Sequence, residues 1–417
     1  MTRFGTLVCR IDERGRGVNL PLMSVSQTLG VVRRSELTDD PPRAESLDDY
    51  KVCRPGDIVF NKMSIRDGAM GVAREGGLVT YHYEVMRPRP GADPRYVVYL
   101  MKSEWFTGEL IQRERGIGAG GTSGVRTTEV PFSVLRTIDA PIPESTAQRA
   151  IADYLDAETA RIDRLSDDLA ALAERLLEKR SATTVAGIAG RMLECERRTS
   201  SLPWLSDVPA HWPELKLTLI ARLGSGHTPS RQQDEWWTDC KIPWITTGEV
   251  WQLRDDRTEY LNETREMISE LGLANSAAEL CPAGTVVLSR TASAGFSAVM
   301  GRTMATSQDF MTWQCGPRLR PRYLLLCLRA MRTDLLDRLA MGSTHQTIYV
   351  PDIQSIRVPV PPIEEQDSIV EWVWARLRHI DAAVDAINRQ VELLNERREA
   401  LITAAVTGQI EIPAVAA

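Results

Sequence analysis

The sequence predicts an α+β fold: two duplicated mixed domains separated by two long helices that form an antiparallel coiled coil. Three observations predict it. Pro141 to Gly190 superimposes on Pro359 to Gly408 at a constant offset of 218 without a gap, and 15 of the 50 paired positions are identical, among them Gln148/Gln366, Asp163/Asp381, Arg180/Arg398 and Gly190/Gly408. Each copy opens on a proline-rich stop and then runs about 45 residues without proline, with glycine only near its far end, which predicts one helix of about 65 Å at 1.5 Å per residue. The blocks ahead of the copies are also alike, since Cys53-Arg-Pro-Gly-Asp-Ile-Val-Phe-Asn-Lys62 pairs with Cys281-Pro-Ala-Gly-Thr-Val-Val-Leu-Ser-Arg290 and Arg95-Tyr-Val-Val-Tyr with Arg322-Tyr-Leu-Leu-Leu.

In chain order, residues 1–140 form a first mixed domain, with short β-rich runs at Asp57 to Phe60 and Gly77 to Tyr83 set between turn residues. Residues 141–190 form the first long helix, in which Leu155, Ile162, Leu169 and Leu176 recur every seven residues, with Leu165 and Leu172 alongside. Residues 191–358 form the second mixed domain, with a strand at Thr285 to Leu288. Residues 359–417 carry the second helix and a tail; here Val373, Ile380, Ile387 and Leu394 recur, flanked by Leu377, Val384 and Val391. The flanking rows lie on opposite sides of the shared seam, which suits pairing of the two helices with each other.

Composition narrows the function. With 43% hydrophobic and 25% charged residues the chain reads as soluble and globular, no apolar run is long enough for a membrane span, and the start lacks a signal-peptide pattern, so a cytoplasmic protein is expected. Seven cysteines, none in a C-x-x-C pair, predict buried reduced thiols and neither disulfides nor a zinc site. The net charge of −6 resides in the helical segments 141–190 and 359–417, while the rest of the chain is close to neutral and takes its positive charge almost wholly from arginine. Two similar domains held by paired helices suit reading two sites at a fixed distance, and duplex DNA, with one turn per about 34 Å, is a periodic target of that kind. A duplicated protein-binding or glycan-binding scaffold would give the same pattern.

The second block runs Asp207-Val-Pro-Ala-His-Trp212, Leu223-Gly-Ser-Gly-His-Thr-Pro-Ser230, Glu235-Trp-Trp237 and Ile242-Pro-Trp-Ile-Thr-Thr-Gly-Glu-Val250, and is followed by Pro359-Val-Pro-Pro-Ile-Glu-Glu-Gln366 and Val406-Thr-Gly-Gln-Ile410. In this order these motifs resemble the specificity subunit of type I restriction-modification systems over nearly the whole chain. The resemblance implies two target recognition domains and no chemistry of the chain's own. It implies double-stranded DNA as a partner, read as a split asymmetric site with the helices setting the spacer. It also implies two modification subunits, which use S-adenosylmethionine to methylate adenine, and restriction subunits, with Mg2+ and ATP in the partners and no cofactor bound directly. The first block departs from the pattern: no counterpart of the Trp212 or Thr228-Pro229 segments stands near Met1, although Arg16-Gly-Val-Asn-Leu-Pro-Leu-Met-Ser-Val-Ser26 resembles an alternative opening seen in some recognition domains of this family. Either that domain is a different variant or the true start lies upstream.

A self-contained enzyme is the third reading, and the motifs speak against it. Asp40-Pro41-Pro42-Arg43 puts Arg where an adenine methyltransferase needs an aromatic ring, no G-x-x-x-x-G-K-[ST] loop exists, and Glu214-Leu-Lys216 reads as a surface strand rather than a nuclease motif. Leu223-Gly-Ser-Gly-His227 reads as a tight turn offering backbone N–H groups and the side chains of Ser225, His227 and Thr228. Candidate DNA contacts are polar or basic residues at strand ends and in glycine-rich loops. In the first block these are Lys62, Arg66, Arg113, Arg115 and Arg126, around Gly116 to Gly124; in the second they are Ser225, His227, Thr228, Arg231, Arg290, Arg302, His345 and Gln346. Arginine forks read guanine, glutamine pairs with adenine, and the other groups hold phosphate.

Overall fold

The computed structural model describes residues 1–40, 46–114, 131–341 and 346–412. Two units divide the chain, one of residues 1–171 with 387–417 and one of residues 172–386, and both long helices contribute to both units.

The first unit is built on a four-stranded antiparallel sheet of β1 (Val8–Ile11), β2 (Ile58–Asn61), β3 (Met70–Val72) and β4 (Tyr83–Pro88), in spatial order β1-β4-β2-β3. The run at Gly77 to Tyr83 divides: a strand covers Gly77–Val79, and Tyr83 already opens β4. After the sheet comes α1 (Pro94–Lys102), whose start is fixed twice, by Pro94 in its first turn and by Asp93 accepting from the Arg95 N–H. Tyr96, Val97, Leu100 and Met101 of α1 are buried with Ile58, Phe60 and Met86 of the sheet. Into this core come Ile151, Ala152 and Leu155 from the start of α2 (Ser145–Ile188), and Ile402, Ala405 and Val406 from the end of the second long helix.

The second unit repeats the plan. Its sheet holds β5 (Ala221–Ser225), β6 (Val286–Ser289), β7 (Ser297–Met300) and β8 (Phe310–Cys315) in the same antiparallel order, β5-β8-β6-β7, with Tyr260–Leu261 added in parallel beyond β7. α3 (Pro321–Ala330) takes the place of α1, and its Tyr323, Leu324, Leu325, Leu326, Cys327 and Leu328 are fully buried. Each such leucine contributes about 1.5–3 kcal/mol of apolar burial. The last long helix, α4 (Ile363–Val406), packs Ile369, Val373 and Leu377 into this core. The extra length of the block goes into a small sheet of Ile242–Ile245, Met267–Ile268 and Ala305–Thr306 and into the loop that follows Leu253.

Asp256 anchors that loop, beside the pairing of Arg257 with Asp385 at 2.8 Å. Asp256 has a left-handed backbone (φ 58°), and its carboxylate takes a two-point contact from Arg332 at 2.5 and 2.7 Å. Its carbonyl accepts from Arg329 at 2.5 Å and from Arg180 of α2 at 2.8 Å. Burial lowers the pKa of Arg329 to about 10, with the Asp256 charge working the other way.

Many identical positions of the repeat acquire a physical reason here. Gln148 and Gln366 are buried and make the same two bonds: each accepts from the N–H just ahead of the short helix (Asp93 at 3.0 Å, Arg320 at 2.8 Å) and donates to a carbonyl of its own proline run (Pro143 at 2.9 Å, Pro361 at 2.8 Å). Gly190 and Gly408 end the two helices with φ of 67° and 75°, the left-handed cap glycine adopts without strain. Asp163 and Arg398 pair at 3.3 Å in the first unit, and Arg180 and Asp381 at 2.8 Å in the second. In each unit, then, the start of one long helix lies beside the end of the other, and they run in opposite directions.

Along the heptad row Leu155, Ile162, Val373, Ile380 and Ile387 are buried, and Leu169, Leu176 and Leu394 are half-buried. The row alongside in the first copy is different. Leu165 and Leu172 are each 47% exposed, whereas Leu377 and Val384 of the second copy are buried. Among the cysteines Cys53, Cys281 and Cys327 are buried and Cys195 is exposed, so the expectation of buried thiols fails at Cys195; all seven are free. Among the described residues no helix is long and apolar enough to cross a membrane.

Candidate nucleic-acid interface

In the second unit the sheet gathers the candidates at one end. β5 ends at Ser225, β6 ends at Ser289 and β8 begins at Phe310, so three strands deliver their connecting segments to the same place. The His227 N–H donates to the Thr306 carbonyl at 3.0 Å, and the Thr228 hydroxyl bonds the Gln308 amide oxygen at 2.6 Å. Arg290 follows β6 directly; its Nε donates to the Gln308 carbonyl at 2.9 Å, and its own carbonyl accepts from the Ile348 N–H at 2.8 Å, which brings exposed Gln346 alongside. Ser225, His227, Thr228, Arg290 and Gln346 thus converge from three separate stretches of chain. His345 lies outside the described residues.

Four readings change. Leu223 to Ser225 is strand, paired with Trp313 to Met311, rather than part of a tight turn, and the backbone N–H of His227 is already used within the fold. A side chain at Gly226 would meet the Thr306 carbonyl at 1.9 Å, so glycine there serves close packing. Arg302 is exposed but follows β7, whose Val299 faces Val286, so it sits at the opposite end of β6 from Arg290. Arg231 is already engaged, its guanidinium 3.9 Å above the Trp237 ring and 2.8 Å from Glu266. Glu214-Leu-Lys216 is a strand, yet Glu214 is buried rather than surface. Burial alone would raise its pKa, but hydrogen bonds from Ser200 and Ser201 and the charge of Arg198 hold it below the ordinary glutamate value.

In the first unit the equivalent end of the sheet carries Lys62, in the turn after β2. It lines a hollow of about 430 Å³ with Arg10, Arg14, Asp49, Lys51 and Tyr81. Lys51 is buried and bonds Glu84 at 2.9 Å and the Tyr83 carbonyl at 2.7 Å; half-exposed Arg10 holds the same Glu84 at 3.1 Å. Arg66 belongs to the same turn but lines a different hollow with Lys102 and Arg398. There burial and the Arg398 charge lower the pKa of Lys102. Arg113 is bound on its own helix to Glu109. Arg115, Arg126 and the stretch Gly116 to Gly124 lie outside the described residues, as do Pro41 to Arg43.

Sequence reasoning missed Gln308, Arg10, Arg14 and Lys51. Gln308 carried a faint signal, since it is polar and stands two residues ahead of a strand-forming run. Lys51 and Glu84 carried none, because residues 33 apart reveal their pairing only through the sheet. Chemically, both sheet ends offer hydrogen-bond donors and acceptors with cationic side chains. Among the described residues no group of three or more His, Cys, Asp or Glu could hold a metal.

Comparison with known proteins agrees with this architecture. The family model described as type I restriction modification DNA specificity domain matches residues 209–393. The type I restriction enzyme MjaIX specificity subunit of Methanocaldococcus jannaschii is 24% identical over 193 residues, 46% of this chain and 43% of that protein. The EcoR124I/EcoR124II specificity subunit of Escherichia coli is also 24% identical, over 185 residues, 43% of this chain and 44% of that one. The match thus spans less than half the length of either relative.

Two solved structures share the fold over its full extent. One, from work on complex assembly and conformational transition of the type I R-M system, has a TM-score of 0.71 at 18% identity and covers 98% of this chain and 97% of its own. The other, the HsdS subunit of Thermoanaerobacter tengcongensis, has a TM-score of 0.56 at 19% identity over 98% and 96%. Residues 209–393 of this chain are thus similar to the type I restriction modification DNA specificity domain, and the chain's duplicated fold is shared with two solved structures.

Proposed function

We propose that this chain is a non-catalytic DNA specificity subunit acting in the cytoplasm. It reads a bipartite, asymmetric site in double-stranded DNA, one half with each mixed domain, and the two long helices set the length of the spacer. The observation that carries the reading is the duplication itself: one sheet plan occurs twice, and each time the polar and cationic segments leave the same end of the sheet. Two modification subunits carry S-adenosylmethionine and methylate adenine, and restriction subunits use Mg2+ and ATP. The chain binds none of these cofactors directly. Lys62, Arg66, Arg113, Arg115 and Arg126 serve the first half-site; Ser225, His227, Thr228, Arg290, Gln346 and His345, with Arg231 and Arg302 further out, serve the second.

The test is methylome sequencing of a host that expresses this chain with its modification subunit, against the same host without this chain. The expected result is a new adenine-methylated motif in two short parts around a fixed gap. An assembled complex that binds DNA and adds no such motif overturns the proposal.

A further inference from the structure

From Met304 to Met311 every residue is buried or half-buried except Gln308. The turn around it is fixed on each side. The Ser307 N–H donates to the Ile245 carbonyl at 2.9 Å, and the Arg290 N–H donates to the Asp309 carbonyl at 2.8 Å. The Asp309 carboxylate accepts from the Thr291 hydroxyl at 2.6 Å and from the Ser307 hydroxyl at 3.2 Å. Gln308 itself is tied at both ends: its carbonyl accepts from Arg290 Nε at 2.9 Å, and its amide oxygen accepts from the Thr228 hydroxyl at 2.6 Å. An exposed glutamine ordinarily keeps its rotamer freedom until it binds something; here that freedom is already given up within the fold. With the oxygen engaged, the amide offers its NH2 group, which has no acceptor among the described residues. The repeat supplies a comparison. Ser289 pairs with Phe310 as Asn61 pairs with Tyr83, so Tyr81, two places ahead of β4, is the counterpart of Gln308. Tyr81 is 54% exposed. One backbone position thus presents an amide in one unit and a phenol ring in the other.

We infer that Gln308 is a specificity-determining residue that donates from its amide NH2 to the keto oxygen of a guanine or thymine in the major groove, with Thr228 as the positioning residue that keeps the amide turned that way. The inference rests on the DNA-reading function proposed above. Guanine O6 and thymine O4 accept hydrogen bonds, whereas cytosine N4 and adenine N6 donate them. A donor whose own oxygen is tied back therefore separates keto bases from amino bases. Glutamine that is free to turn offers an acceptor as well and pairs with adenine; the bond from Thr228 takes that option away. The different side chain at Tyr81 is what two units reading unlike half-sites require at one shared position.

The test is methylome sequencing of hosts that express the modification subunit with the parent chain or with Gln308→Ala, Gln308→Glu or Thr228→Val. Gln308→Ala is expected to make one position in one part of the motif degenerate, and that position is then followed in the other variants. Gln308→Glu still accepts from Thr228 but replaces the NH2 by an acceptor. The base pair at that position is therefore expected to exchange its keto base for an amino base on the same strand, and methylation of the parent motif to fall about tenfold or more. Thr228→Val frees the amide and is expected to widen the same position. Thermal melting checks the fold of each chain, and Gln308→Ala with Thr228→Val decides the matter where Gln308→Glu does not assemble. A parent chain that directs no two-part motif overturns the proposed function and this inference together. With the parent motif present, only this inference falls if the Gln308 variants leave the motif intact, alter both of its parts, or change the position while keeping keto and amino bases on their strands. It falls too if Thr228→Val reads that position as the parent does.

Discussion

The two sheets share strand order and direction but are held together by opposite means. In the first unit β4 carries Glu84, buried with Lys51 and capped by Arg10. At the matching place in the second unit β8 carries buried Met311, which faces Leu288 across the sheet. One plan thus tolerates a buried ion pair or a hydrocarbon contact. The difference teaches that backbone pairing and the apolar face define the fold, while the polar chemistry at the sheet end is free to diverge between copies, as a surface that reads different partners requires.

The sharpest way to break this comparison is Lys51→Met, which strands Glu84 in the core with only Arg10 beside it. A loss of about 3 kcal/mol is expected in denaturant unfolding. The double variant Lys51→Met, Glu84→Met imitates the second unit and is expected to regain most of it. If the double variant is no better than the single one, the sheets are not interchangeable.

The helix pairs offer a second contrast. Arg180 is buried and reaches both Asp381 and the Asp256 carbonyl, whereas Arg398 is 30% exposed beside Asp163. Arg180→Ala is therefore expected to cost about 2–3 kcal/mol and Arg398→Ala less than about 1 kcal/mol, measured by thermal melting. The glutamines should behave alike: Gln148→Ala and Gln366→Ala each leave a buried backbone N–H and a carbonyl without their partner, for about 1–2 kcal/mol apiece.

The smallest effect concerns pH. The carboxyl of Glu214 titrates below its ordinary value of 4.5, so the stability it contributes is fully present above that value and is lost as pH falls through the depressed one. Position 1, its counterpart in the first unit, is methionine. Hydrogen-exchange protection over residues 197–216, corrected for the pH dependence of intrinsic exchange, should fall below pH 4.5 in the parent chain, and this fall should vanish in Glu214→Gln.

How far the sequence alone reaches depends on the range of the interaction. The helices, the offset of 218 and the strand after Cys53 were legible because proline, glycine and apolar period are local signals. The places of Arg290 and Lys62 just after strands were legible because strand ends can be read from composition. Lys51 with Glu84, and Thr228 with Gln308, were out of reach, since only the sheet register brings them together. Glu214 looked like surface because the serines that bury it come from another loop. Leu165 and Leu172 looked like seam because apolar period does not say which of two adjacent rows meets the partner helix.

Asp256 carries a consequence for how such a protein could be rebuilt. Its carbonyl belongs to the second mixed domain, yet one of its donors, Arg180, belongs to a helix that any domain exchanged there would inherit. A mixed domain grafted between residues 190 and 358 fits this scaffold only if it brings a left-handed residue with an inward carbonyl to that spot. The scaffold thus sets a checkpoint that filters which foreign modules it accepts, independently of whatever they would bind.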